Sequence, residues 1–132
     1  MEYAVNNIYD VAKWFLHVEA MTHKKLQKLL YFSYGIYMAQ NNESCNNINK
    51  ALFKNEFEAW VHGPVDPNIY RLFKHYGVNL ICIEGIEKFN FSFDVLSALN
   101  KTIEIYGKYS ADELEKITHS QAPWQNARKC SW

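Results

Sequence analysis

The sequence contains no apolar run that approaches the roughly 18 residues of a membrane-spanning helix. Its first residues also lack the basic start and apolar core of a secretory signal. Cysteine is scarce, since only Cys45, Cys82 and Cys130 occur, far apart and without a CxxC pair. These features predict a cytoplasmic protein with reduced thiols and neither a disulfide framework nor a zinc site.

Charge of either sign is not in excess: 14 Lys plus Arg balance 14 Asp plus Glu. A zero net charge gives no global attraction to nucleic acid or to an anionic membrane, although a local basic patch stays open. The 5 histidines are scattered, and no HExxH, P-loop, Rossmann glycine pattern or nucleophile elbow is present. The sequence therefore predicts no metal, no cofactor and no enzyme activity.

Apolar residues are abundant, and they exclude a disordered chain. Hydrophobic residues make up 48% of the 132 residues and aromatic residues 16%. That content predicts one folded domain, residues 1–132, whose core or binding surface is rich in rings.

The stretch from Met21 to Gln40 predicts a central helix. Thr22 can cap its first turn, and from Leu29 onward apolar residues extend around all faces, which requires enclosure by other elements. Gly35 in the middle is unfavourable for a helix, so we expect a neighbouring backbone to approach closely there.

The remaining elements are mostly helical. Asn7 to Glu19 predicts an amphipathic helix, Asp94 to Tyr106 another, and Ser110 with Glu113 a capping box that starts a further one. Pro123-Trp124 predicts a last helical turn that runs toward Arg128.

The middle of the chain changes period. Residues 53–62 alternate as an extended segment does, with Gly63-Pro64 as its end. Asp66-Pro67 predicts the start of a third helix that ends at Gly77. Its inward face is expected to hold Ile69, Leu72, Phe73 and Tyr76. Residues 80–83 are a candidate strand, with pairing to the segment near Trp60 left open. The predicted fold is mainly α, a compact single domain around a buried central helix, with room for one small β-hairpin.

Four segments together resemble the Panacea antitoxin domain, also called SocA-like and, in phages, GepA. They are DVAKWFL (10–16), MTHKKLQKLLYFSYG (21–35), FEAWVHGPVDPNIYRLFKHYG (57–77) and ITHSQAPWQNAR (117–128). The resemblance covers about residues 8–128, and its motifs are specific in combination. The sequence departs from the family pattern at His23 and Lys24, where relatives usually carry proline and leucine.

The resemblance implies a bacterial or prophage antitoxin that neutralises a cognate toxin, usually encoded by an adjacent gene, through direct binding. It leaves two alternatives open. One is a proteolytic adaptor that delivers the toxin to an AAA+ protease. The other is a nucleic-acid-binding regulator of a phage or mobile element, which the zero net charge disfavours.

Three lysines form the first candidate partner site. Lys24, Lys25 and Lys28 lie in the first turns of the central helix, where the helix dipole disfavours cations. Either they contact an acidic toxin surface or a phosphate, or they are a solvated basic end of the helix.

Trp60, His62 and Tyr70 form the second candidate site. A tryptophan and a histidine beside a rigid turn suit a protein interface, whereas Trp60 could equally cover the core. Gly63, Pro64 and Pro67 are expected to be structural. In the last motif, His119, Pro123 and Trp124 are expected to pack rather than to bind, because a tryptophan has too much apolar area to leave exposed.

Overall fold

A computed structural model describes residues 1–44, 46–85 and 87–120. Within them the elements are, in order, β1 (Glu2–Tyr3), α1 (Ile8–Val18), α2 (His23–Asn41), β2 (Lys50–Ala51), β3 (Glu58–Trp60), β4 (Gly63–Val65), α3 (Pro67–Phe73), a 3-10 turn (Lys74–Tyr76), α4 (Phe93–Tyr106) and α5 (Ala111–Ser120). The predicted mainly α fold is confirmed. No helix in these ranges combines the length and apolar character that a membrane crossing requires.

Helix α2 is the centre of the fold, as predicted. Of its 19 residues, 13 are buried, and α1, α3, α4, α5, β2 and β4 all pack against it. Phe32 stacks on Tyr106 of α4 with the ring centroids 4.0 Å apart. Gly35 lies in the buried part of this helix. Other elements thus enclose the apolar surface of α2, as a helix that is apolar on nearly all faces requires.

Side-chain caps define the helix starts where the sequence predicted them. Thr22 accepts a hydrogen bond from the Lys25 N–H at 3.2 Å. Ser110 and Glu113 form the reciprocal capping box, with distances of 3.0 and 3.2 Å. Asp66 accepts from the N–H groups of Asn68 and Ile69 and so starts α3. Each cap satisfies backbone donors that have no partner inside the helix.

The prediction that Gly63-Pro64 ends the extended segment is wrong. Gly63 and Pro64 belong to β4, which pairs antiparallel with β3, Trp60 opposite Gly63 and Glu58 opposite Val65. The chain reverses at Val61 and His62 instead. Neither residue is typical of a two-residue hairpin turn, which favours Asn-Gly or Asp-Gly, so the sequence carried no local signal for it.

Two further predictions are corrected in the segment after β4. Leu72, expected to face inward, is 49% exposed on α3, whose buried residues are Ile69 and Phe73. Ile81 pairs with Met21 at the start of α2 and not with Trp60: the two residues exchange N–H···O bonds of 2.8 and 3.3 Å.

A parallel pair between β1 and β2 was not predicted. Glu2 lies opposite Lys50 and Tyr3 opposite Ala51, and two-residue strands are too short to show a period. Asn42 at the end of α2 holds the loop that leads to β2. Its side chain donates to the Met38 and Lys50 carbonyls at 2.8 Å and accepts from the N–H groups of Asn49 and Lys50 at 3.0 Å.

We expect Asn42→Ala to lower the free energy of unfolding by about 2 kcal/mol, because four partly exposed hydrogen bonds are lost. Urea denaturation measures the change, and limited proteolysis should show faster cleavage between residues 43 and 50. Asn41→Ala is the matched control, since its side chain makes one bond to the Tyr37 carbonyl. Equal stability of the two variants would contradict the role assigned to Asn42.

Candidate functional site

A groove of about 1110 Å³ opens beside the N-terminal end of α2. We call it the hairpin groove. Its lining comes from residues 19–25, 27 and 28 around the start of α2, residues 59–62 of the hairpin, and residues 77, 78 and 80 after the 3-10 turn. Residues 110–112 at the start of α5, Val65 and Tyr70 also line it. The structure brings all six residues of the two candidate partner sites to this groove: Lys24, Lys25, Lys28, Trp60, His62 and Tyr70.

Two of the three lysines are used inside the fold. Lys25 is 9% exposed and donates to the Gly107 carbonyl at 2.7 Å, and Lys28 is 1% exposed and donates to the His62 carbonyl. The solvated alternative is therefore wrong for both residues. Sequence could not show this, because the acceptors lie 82 and 34 residues away along the chain.

Gly63 makes room for the Lys28 ammonium group. Its φ of +115° is rarely adopted by residues with a side chain, and a Cβ there would stand 3.0 Å from Lys28 Nζ. Burial lowers the pKa of Lys28 from its ordinary value. The buried lysine ties the turn of the hairpin to α2 and so sets the position of one groove wall.

Lys24 joins a charged cluster at the end of the groove. Its Nζ lies 3.1 Å from Asp112 Oδ1 and 3.5 Å from Glu115 Oε1, and His62 Nδ1 lies 2.8 Å from the same Glu115 atom. The hydrogen bond to Asp112 is the main cause that raises the pKa of Lys24. Burial raises the pKa of Glu115, but the charges of Lys24 and His62 outweigh that effect and lower it. The cluster links α2, the hairpin turn and α5.

Aromatic rings form one side of the groove. Trp60 is 39% exposed, packs edge-on against Tyr70 with centroids 4.8 Å apart, and donates from its ring N–H to Glu58 at 2.9 Å. The His23 ring also packs edge-on against Tyr70, with centroids 5.9 Å apart, and burial lowers the pKa of His23. Trp60 thus presents part of its ring to solvent in a fixed orientation.

Three apolar residues at the groove were not singled out by sequence. Val61 is 89% exposed, Val78 92% and Leu80 62%. Val61 is in the hairpin turn, and the other two follow the 3-10 turn. Sequence reasoning could not identify them, because it gave no local signal for the turn that exposes Val61.

The residues expected to be structural have different surroundings. Pro64 lies in β4 and Pro67 at the start of α3. His119 is exposed on α5 rather than packed, and it lines a second cavity of about 250 Å³ together with Tyr31 and Phe57. Pro123 and Trp124 lie outside the described residues, as does the predicted last turn of helix.

The polar groups of the groove offer no metal-binding cluster. Within the part of the chain that the structure describes, no three His, Cys, Asp or Glu residues come together in a way that could hold an ion. The expectation that the chain is not an enzyme stays a prediction. What the groove does offer is exposed apolar surface beside a rigid pair of rings.

The mainly α fold and the order of the four sequence motifs together indicate the class of protein. The chain belongs to the Antitoxin SocA-like, Panacea domain family, whose model matches residues 26–125. Among individual proteins it is similar to Antitoxin SocA of Caulobacter vibrioides (strain NA1000 / CB15N), with 31% identity over 116 residues, 75% of this chain and 55% of the relative. The chain thus spans about half the length of that relative. No solved structure matches it.

Proposed function

We propose that this chain is an antitoxin that neutralises a cognate protein toxin by binding it directly. The family membership and the similarity to Antitoxin SocA support the antitoxin role. The observation that supports binding is the hairpin groove, where Trp60 and exposed apolar residues lie beside the N-terminal end of α2. Tryptophan and tyrosine in well-packed pockets are enriched among the residues that supply most of the binding free energy between proteins.

The groove suits a protein better than a nucleic acid. Phosphate binding depends on lysines and arginines that are free to neutralise charge. Here Lys25 and Lys28 donate to backbone carbonyls, and Lys24 pairs with Asp112 and Glu115. With a formal net charge of zero, the chain has no excess of cations elsewhere to compensate.

A growth assay tests the role. Each gene next to this one would be induced in a heterologous bacterium, first alone and then together with this chain. We expect one neighbour to arrest growth and co-induction to restore it. If no neighbour arrests growth, or if arrest persists with this chain present at equal level, the proposed function is wrong.

The same strains separate direct neutralisation from proteolytic delivery. We expect the half-life of the toxin in a pulse-chase to be unchanged or longer when this chain is present, because a bound partner protects it. A half-life that shortens only in cells with the AAA+ protease would favour the adaptor alternative instead.

A further inference from the structure

The second cavity, of about 250 Å³, is formed by α2, the β3–β4 hairpin and the last turn of α5, and it shares only Ala59 and Trp60 with the hairpin groove. It is smaller than the about 300–1,000 Å³ of sites that hold drug-sized ligands. Its size therefore suits a small head group or a single side chain. Among the described residues that line it, four are aromatic: Tyr31, Tyr34, Phe57 and Trp60.

The rings stand at steep angles to one another. Phe57 meets Tyr31 at 86° with centroids 5.5 Å apart, and it meets Tyr34 at 74° and 6.1 Å. Rings in this arrangement form a corner, and the face of each ring carries the negative part of its quadrupole. Burial raises the pKa of Tyr31 to about 12, so water solvates its hydroxyl poorly. A cation beside such rings is attracted to them, and the attraction increases where water is excluded.

Glu58 gives the cavity a negative charge. The Trp60 ring N–H donates to Glu58 Oε1 at 2.9 Å and so holds the carboxylate beside the rings. No lysine or arginine is found among the described residues that line the cavity, and in that part of the chain Glu58 forms no ion pair. His119 is the one lining group that can carry a positive charge. An anion would be repelled here, and a neutral apolar group would gain nothing from the carboxylate.

We propose that the second cavity binds an organic ammonium cation, with its charge beside Glu58 and its alkyl groups against the rings of Phe57 and Trp60. Cages of aromatic rings with this preference recognise quaternary ammonium groups and methylated lysine. Two sources carry the chemistry: a free small molecule with a quaternary ammonium head, and a lysine side chain of a protein partner. The site is distinct from the hairpin groove and does not depend on the proposed function.

Titration of the purified chain with choline, followed by NMR, tests the site. We expect a saturable shift of the Trp60 indole N–H signal, which Trp60→Phe would assign, with a Kd on the order of 1 mM for a ligand of so few atoms. Dimethylbutanol, the uncharged carbon isostere of choline, should bind at least about 10-fold more weakly. The titration is run at about pH 8, because a protonated His119 would repel the cation.

Glu58→Gln tests the charge and keeps the bond to Trp60, since an amide oxygen still accepts the ring N–H. We expect choline to bind about threefold more weakly. Glu56→Gln is the matched control, because it makes the same change two residues away, where Glu56 accepts from Asn68 at 2.9 Å and does not line the cavity. Trp60→Leu should weaken choline binding at least about 10-fold. Far-UV circular dichroism checks that each variant is folded.

Three results would overturn the proposal: no saturable shift with choline, equal affinity for choline and its uncharged isostere, or equal effects of Glu58→Gln and Glu56→Gln. None of these measurements needs a toxin, so a failure here leaves the antitoxin role as it stands. A competition experiment then separates the two sources. If the cation is a lysine of the toxin, saturating choline weakens toxin binding while the same concentration of sodium chloride does not. If the toxin binds equally well with choline in place, the cation is a free small molecule.

Discussion

Replacing Gln27 with leucine is expected to lower the free energy of unfolding by about 3 kcal/mol. Gln27 is 3% exposed, and its side chain amide forms a pair of bonds with the backbone of Asp66: it accepts from the N–H at 2.9 Å and donates to the carbonyl at 3.0 Å. Leucine fills similar space but leaves the buried N–H of Asp66 without a partner. Because Asp66 caps α3 and directly follows β4, the loss reaches the hairpin as well.

Gln40→Leu is the control for this prediction, since it makes the same change at an exposed position of the same helix. We expect its effect to stay within about 0.5 kcal/mol. Urea denaturation of both variants provides the comparison. A difference between them below about 1 kcal/mol would show that the Gln27–Asp66 pair does not hold the junction of β4 and α3.

Gly63→Ala is expected to lower the free energy of unfolding by about 3 kcal/mol and to abolish toxin binding. Alanine disfavours a φ of +115°, and its Cβ would press on Lys28 Nζ at 3.0 Å. The turn at Val61 and His62 would have to move, and with it one wall of the hairpin groove. Stability would be measured by urea denaturation and binding by calorimetry.

Gly77→Ala separates the effect of an unfavourable φ from the effect of the contact with Lys28. Gly77 also has a positive φ, +58°, with a ψ of −122°, but no atom lies within 4 Å of a Cβ built there, so we expect a loss of about 2 kcal/mol that comes from backbone strain alone. The double variant Gly63→Ala with Lys28→Ala should lose less than the sum of its single variants, because the clash is removed. Strict additivity would contradict a contact between Gly63 and the lysine.

The helical part of this fold could be predicted because its causes are local. The period of apolar residues located α1, α2 and α4, and the capping side chains Thr22, Asp66 and Ser110 located three helix starts to within a residue. Each cap acts over two or three residues, a distance that a sequence pattern displays directly.

One small β-hairpin was expected and is present, but its turn was misplaced, and the other strand pairings were missed because they depend on long-range contacts. β1 pairs with β2 across 48 residues, and Ile81 pairs with Met21 across 60. The two candidate partner sites were chosen separately, and only the fold shows that they share one groove. Lys28 was predicted to contact a partner because of its charge, but its structural role depends on the His62 carbonyl in the hairpin.

The groove therefore has both a supporting frame and an exposed surface. Gln27, Lys28 and Gly63 hold the hairpin against α2, while Trp60, Val61 and Leu80 present apolar area to solvent. Substitutions in the frame should change stability and binding together. Substitutions of the exposed residues should change binding alone, and this contrast distinguishes a binding surface from a structural one.

Neutralisation with purified components tests the central claim most directly. The toxin identified by growth arrest would be assayed for its own activity in the presence of increasing amounts of this chain, with no protease present. Direct binding predicts a stoichiometric complex and loss of toxin activity in proportion to the complex formed. Full toxin activity at saturating amounts of this chain, or rescue in cells without any complex in solution, would contradict it.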